Sequence, residues 1–96
     1  MSEKFLRMVE EARKLTSGPF SFEQGQRFIQ SVREWVEEQP DWLKKSIIGR
    51  ISTEGVQAWS REEFVNELAK NRELMMSFAR FLAAVPPEKI RHILGR

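Results

Sequence analysis

The stretch Trp59–Val85, WSREEFVNELAKNRELMMSFARFLAAV, decides the fold. Ser60 followed by Glu63 is a capping box, in which the serine oxygen takes one orphan amide and the glutamate reaches back to another. Trp59 before the cap and Phe64 in the first turn are placed for a hydrophobic staple. Phe64, Leu68, Asn71, Met75, Phe78, Leu82 and Val85 then recur at alternating intervals of four and three, which predicts one helical face. Asn71 either lies within that helix or caps a second one.

Working outward, the same boundary signals divide the rest of the chain. Ser2 can cap a helix over about 3–15 with Phe5, Met8 or Val9, Ala12 and Leu15 as its apolar stripe. Thr16-Ser17-Gly18-Pro19 ends it. Ser21 with Gln24 predicts a second capping box and a helix over 22–38. Its expected buried face is Phe22, Gly25, Phe28 or Ile29, Val32, Trp35 and Val36, with a neighbouring backbone passing close to Gly25. Pro40 suits the first turn of a helix over 41–50, with Leu43, Ile47 and Ile51 inward. Residues 53–59 read either as a short helix or as a loop. Pro86-Pro87 stops the long helix, and 88–94 predicts a last one before Gly95. No window shows strict alternation of β-branched residues, and no Asn-Gly or Asp-Gly turn occurs. The expectation is one all-α domain over 1–96, a bundle of five or six helices with the long one spanning 61–84.

Composition narrows the function classes. Of 96 residues 41% are hydrophobic and 31% charged, as in a globular chain. Cysteine is absent, which removes thiolate chemistry and disulfides and suits a reducing compartment. The start, MSEKFLRMVEEARK, interleaves acids and bases and does not read as a secretory signal. Leu74–Val85 carries Arg80 and falls far short of the ~20 residues of a membrane span, so no membrane role and a cytoplasmic location are expected. Net charge is +2 with a pI of about 9.3, and the basic residues gather in 42–61 and in 74–96. Such a balance permits an anionic partner without requiring one.

Catalytic signals are weak. His92 is the only histidine, with no second histidine or cysteine to complete a metal site. The acid pairs Glu10-Glu11, Glu37-Glu38 and Glu62-Glu63 are sequence neighbours, so on a helix they point about 100° apart. The glycines form no phosphate-cradling loop. A non-enzyme with no cofactor and no small-molecule substrate is expected.

Two binding readings remain. Between Leu74 and Val85 only Ser77 and Arg80 are polar. Apolar surface beyond one core face predicts a protein interface or self-association through Leu74, Met75, Phe78, Phe81 and Leu82. On this reading the protein is a small accessory or regulatory subunit. The alternative is nucleic-acid binding. Ile51-Ser52-Thr53-Glu54-Gly55-Val56-Gln57-Ala58-Trp59 resembles the turn and recognition helix of phage-repressor-type helix-turn-helix proteins, which read apolar-Ser-x-x-small-Val-x-x-Trp. The resemblance implies that Ser52 caps, Val56 and Trp59 anchor, and Thr53, Glu54 and Gln57 read bases. Lys44, Lys45, Arg50 and Arg61 would then hold phosphates. It covers nine residues, and upstream Lys45, Ser46 and Arg50 stand where that family has an apolar residue, an alanine and a glycine. A basic subunit lining a nucleoprotein complex is the looser form of the same alternative.

Overall fold

The computed structural model describes residues 3–39, 47–52, 55–86 and 88–89, with 47–52 and 55–58 described by their backbone. Among these residues the chain forms four helices and one β-hairpin, in the order α1 (Glu3–Thr16), α2 (Phe22–Glu38), β1 (Ile47–Ser52), β2 (Gly55–Ser60), α3 (Arg61–Lys70) and α4 (Arg72–Ala84). The molecule is mostly helical, as expected, but the described residues hold four helices and a hairpin where periodicity predicts five or six helices. Its helical body has α1 against both α2 and α4, while α3 packs on α2 and carries the hairpin. No helix among the described residues is long and apolar enough to cross a membrane.

Local chemistry explains each boundary. Glu3 lies in the first turn of α1 and Arg13 and Lys14 in the last, each at the end of the helix dipole that favours its charge. At the C-terminus Thr16 Oγ1 donates to the Ala12 carbonyl at 2.9 Å and Ser17 Oγ to that of Lys14 at 2.9 Å. Thr16 thus bonds back by one turn, and Ser17 joins its own amide (3.4 Å) on the Lys14 carbonyl, one of the last four that the helix leaves open. α2 begins as expected, with the Gln24 amide donating to Ser21 Oγ at 3.3 Å. The reciprocal half of that box is not made. Gln24 Nε2 instead donates across to Glu11 Oε2 at 3.0 Å, tying α2 to a carboxylate that is almost buried on α1.

The hairpin is the main departure from expectation. β1 and β2 pair antiparallel, in a register running from Ile47 opposite Ser60 to Ser52 opposite Gly55. Residues 47–50 are therefore strand where a helix over 41–50 is expected, while 41–46 lie outside the described residues. Residues 55–59 are strand as well, so they form neither a loop nor a recognition helix. The β-branched Ile47, Ile48, Ile51 and Val56 favour this state, and Gly49 weakens any helix there. Thr53 and Glu54 lie between the strands, outside the described residues.

β2 passes straight into α3 through Ser60, whose extended backbone (φ −68°, ψ 164°) makes it both last strand residue and helix cap. The expected capping box is complete. Glu63 N donates to Ser60 Oγ at 3.2 Å, and Ser60 N donates to Glu63 Oε1 at 2.9 Å. Trp59 packs on Phe64 with ring centroids 5.7 Å apart, closing the staple. Asn71 breaks the long helix in two. Its own N–H closes α3 on the Glu67 carbonyl at 2.9 Å, and its Oδ1 accepts the Leu74 amide at 3.1 Å to open α4.

The buried residues of α4 are Leu74, Met75, Ala79 and Leu82, so Met75 and Leu82 lie inward as expected while Phe78 and Val85 are only partly buried. The buried residues join Phe5, Met8, Ala12, Leu15, Phe28, Val32, Val65 and Leu68 in one core. Phe78 stands at its edge, 5.0 Å from Phe64 in edge-to-face geometry, 6.1 Å from Phe28 and 6.4 Å from Phe81. Beyond α4, Glu88 and Lys89 are helical and the Lys89 amide donates to Pro86 O at 3.0 Å. The rest of the expected 88–94 helix lies outside the described residues.

Candidate protein interface

The residues expected to form an interface on 74–85 are mostly consumed by the fold. Leu74, Met75 and Leu82 are buried in the core, and Phe78 and Phe81 are half-buried at the edge of its aromatic cluster. α1 takes up the flank that a single amphipathic face leaves over.

The expected nucleic-acid contacts scatter. Lys44, Lys45 and Thr53 lie outside the described residues. The backbones of Arg50 and Gln57 are partners in the hairpin register. Arg61 is 6% exposed, with its guanidinium carbon 5.7 Å from the Trp35 ring centroid, so it packs inside the protein instead of reaching a phosphate. Burial disfavours its charged form and lowers its pKa from the usual arginine value. With 55–60 in a strand, Val56, Gln57 and Trp59 do not stand on a helix, and Thr53 and Glu54 lie outside the described residues.

Chemistry-bearing carboxylates are separated in the same way. Glu11 is held by Gln24 and lies 3.5 Å from Lys14, while Glu63 serves the cap. Hydrogen bonds from Ser60 favour the ionised form of Glu63 and lower its pKa. Glu10, Glu37, Glu38 and Glu62 are exposed. Among the described residues no group of three potential metal ligands comes together, and His92 lies outside them.

What the structure does assemble is a seam between α2 and α3. The N-terminal part of α2 meets the C-terminal part of α3 in a hollow of about 230 Å³ lined by Phe20, Phe22, Gly25, Ile29, Leu68 and Met75, with Gln26, Ala69, Lys70 and Arg72 around it. Farther along, Arg33, Val36 and Glu37 of α2 meet Glu62, Val65 and Asn66 of α3 around a second hollow of about 220 Å³. The helices thus run antiparallel. On α2 the lining residues 22, 25, 26, 29, 33, 36 and 37 fall on one stripe of the 3.6-residue repeat. The two hollows lie in line along this seam, a furrow with α2 and α3 as its walls.

Phe22 is the residue that sequence reading misplaces. It was expected in the core, yet it is 72% exposed, while Gly25, Phe28, Ile29, Val32, Trp35 and Val36 of its stripe are buried. It is the first residue of α2 and lines the rim of the hollow instead. Gly25 does mark a close approach, though by side chains and not by backbone. A Cβ built there would lie 3.3 Å from Met75 Cε and 3.5 Å from Phe20 Cε1. The missing methyl deepens the furrow.

Charge is distributed unevenly along it. Lys70 and Arg72 stand at the Phe22 end, and Glu37 and Glu62 at the other, with Arg33 nearby. Arg72 is held by stacking on Phe20, its guanidinium carbon 3.8 Å from the ring centroid. A cation in the first turn of a helix opposes the dipole, and this stack, worth about 0.5–1 kcal/mol, offsets that cost. The ion pairs among the described residues are Arg7–Glu34, Lys14 with Glu10 and Glu11, and Arg27–Glu23. None of them uses Lys70, Arg72, Glu37 or Glu62. The seam thus combines an exposed aromatic and an apolar floor with charges of opposite sign at its two ends. No protein-family model, curated protein or solved structure matches the chain.

Proposed function

We propose that this protein is a small accessory or regulatory subunit that acts by binding another protein chain through the α2–α3 seam, without catalysis of its own. The observation that carries this reading is Phe22, 72% exposed at the mouth of an apolar hollow floored by Ile29, Leu68 and Met75. Large aromatics at such positions supply a disproportionate share of binding energy. Met75 suits an adaptable floor because its thioether is flexible and polarizable. Leu6, at 47% exposure on α1, is the other large hydrophobic that stands out, but it is not part of the furrow.

The test is capture from the native cell with a tagged chain, comparing the wild type with Phe22→Glu and with Leu6→Glu as a surface control. Partner binding is expected to fall at least about tenfold for Phe22→Glu, the effect of losing a central aromatic anchor. Leu6→Glu should leave it intact. Equal capture by all three chains rejects the seam as the binding surface.

A second reading draws on the register that sets Arg50 opposite Gln57. Two-stranded ribbons can enter a nucleic-acid groove, where Arg and Gln contact base edges. Binding of duplex and single-stranded oligonucleotides at low salt, weakening steeply as salt rises, is the expected outcome on that reading. Absence of binding at low salt rejects it.

A further inference from the structure

We infer that the partner seated on the seam is a second copy of this chain, in a two-fold symmetric dimer; this rests on the protein-binding reading above and adds the identity of the occupant. The reason is that the furrow is complementary to its own reversal. A two-fold axis lying in the contact plane and crossing the seam at right angles, near Ile29 and Asn66, lays α2 against the partner's α2 and α3 against the partner's α3. Both pairs are then antiparallel. This is an isologous contact, in which each end of the seam meets the opposite end of its copy.

The residues match under that operation. Lys70 comes opposite Glu62 of the partner subunit and Glu62 opposite the partner's Lys70, so the two-fold axis makes each attraction twice. Arg72 comes to the end that bears the partner's Glu37. Phe22 comes over the partner's second hollow, about 220 Å³ in volume and floored by Val36 and Val65, which are 4% and 2% exposed. Gln26 meets the partner's Arg33. Near the axis stand Ala69 and Asn66, both exposed and neither bulky. The other simple choice, a two-fold axis running along the seam, sets like ends together and brings Lys70 and Arg72 near their own copies, which costs binding.

From Phe22 to Glu37 the helix rises about 22 Å, and two adjacent helices are about 20 Å wide. That face is smaller than a standard interface, so a weak, readily dissociating dimer is expected.

Sedimentation equilibrium on the full chain tests this, with Lys70→Glu and Glu62→Lys as variants. Both positions are exposed, and circular dichroism confirms that each variant folds. Wild type is expected to show a concentration-dependent monomer–dimer equilibrium, and each single variant a dissociation constant raised at least about tenfold by two like-charge contacts per dimer. Mixing the two variants in equal amounts should restore association, because in the mixed dimer both contacts become Glu–Lys pairs. A wild type that stays monomeric to about millimolar concentration overturns the inference. So does failure of the mixture to recover. If a monomeric chain still loses capture of a different protein on Phe22→Glu, the second-copy inference fails while the protein-binding reading stands.

Discussion

At the scale of single residues, Gly25 shows how a helix cost can be kept for the shape of a surface. A glycine inside a helix is less favourable than alanine by about 1 kcal/mol. The neighbour nearest to an added methyl is Met75 Cε, the free end of a flexible side chain, with Phe20 Cε1 slightly farther. Met75 can turn away at small cost, so Gly25→Ala is expected to raise stability by about 0.5 kcal/mol, measured by urea denaturation. The same change fills the floor of the furrow and should weaken association through it. Stability and binding moving in opposite directions would separate the two roles; a loss of both would place Gly25 in the fold alone. Phe22 and Arg61 make a complementary pair at this scale. Period and polarity put Phe22 inside and Arg61 outside, and the structure reverses both. Phe22 sits one turn too early on α2 to reach the core, and Arg61 follows the staple so closely that the Trp35 ring covers it. Which neighbour lies above a residue is a tertiary fact, and no local pattern carries it.

At the scale of elements, caps were legible and pairing was not. Ser21, Ser60 and Asn71 act on amides only three residues away, so their roles can be read from the chain itself. The hairpin depends on residues brought together across a turn. Its connection lacks the Asn-Gly or Asp-Gly signal, and Gly49 and Ala58 interrupt the alternation of β-branched residues. The furrow was still less visible, since its charged ends come from α2, α3 and the first turn of α4. The capping box at the strand-to-helix junction carries a pH prediction. Hydrogen bonds from Ser60 hold the Glu63 carboxyl below the ordinary 4.5, so the unfolded chain takes up a proton at higher pH than the folded one. The cap's contribution is therefore complete above that value and is lost as pH falls through the lower folded value. Unfolding midpoints measured between about pH 6 and pH 3 should drop for the wild type. The drop should be shallower in Glu63→Gln, which can still reach the Ser60 amide but does not titrate there. Identical pH profiles would show that this carboxylate is not coupled to folding.

At the scale of the whole molecule, the chain divides into a body and an appendage. α1 packs against both α2 and α4, so the first and the last of the described long helices close the body together. Phe28, Met8, Leu15 and Leu82 at its centre are inaccessible to solvent. Among the described residues the hairpin rests chiefly on α3. A two-stranded ribbon is marginal alone and draws its stability from whatever it packs on. Two levels of protection are therefore expected in native-state hydrogen exchange. Amides in the middle of α1 and α2, such as those of Ala12 and Val32, should exchange only through global unfolding. The cross-strand amides of β1 and β2 should open at lower free energy while the body stays folded. Trp59 and Ser60 join these two parts, because one packs on Phe64 and the other caps α3. Ser60→Ala should therefore accelerate exchange in the hairpin and the first turn of α3 more than in α1. If the hairpin amides exchange as slowly as those of Val32 in the wild type, the ribbon is part of the cooperative core, and the division into body and appendage is wrong.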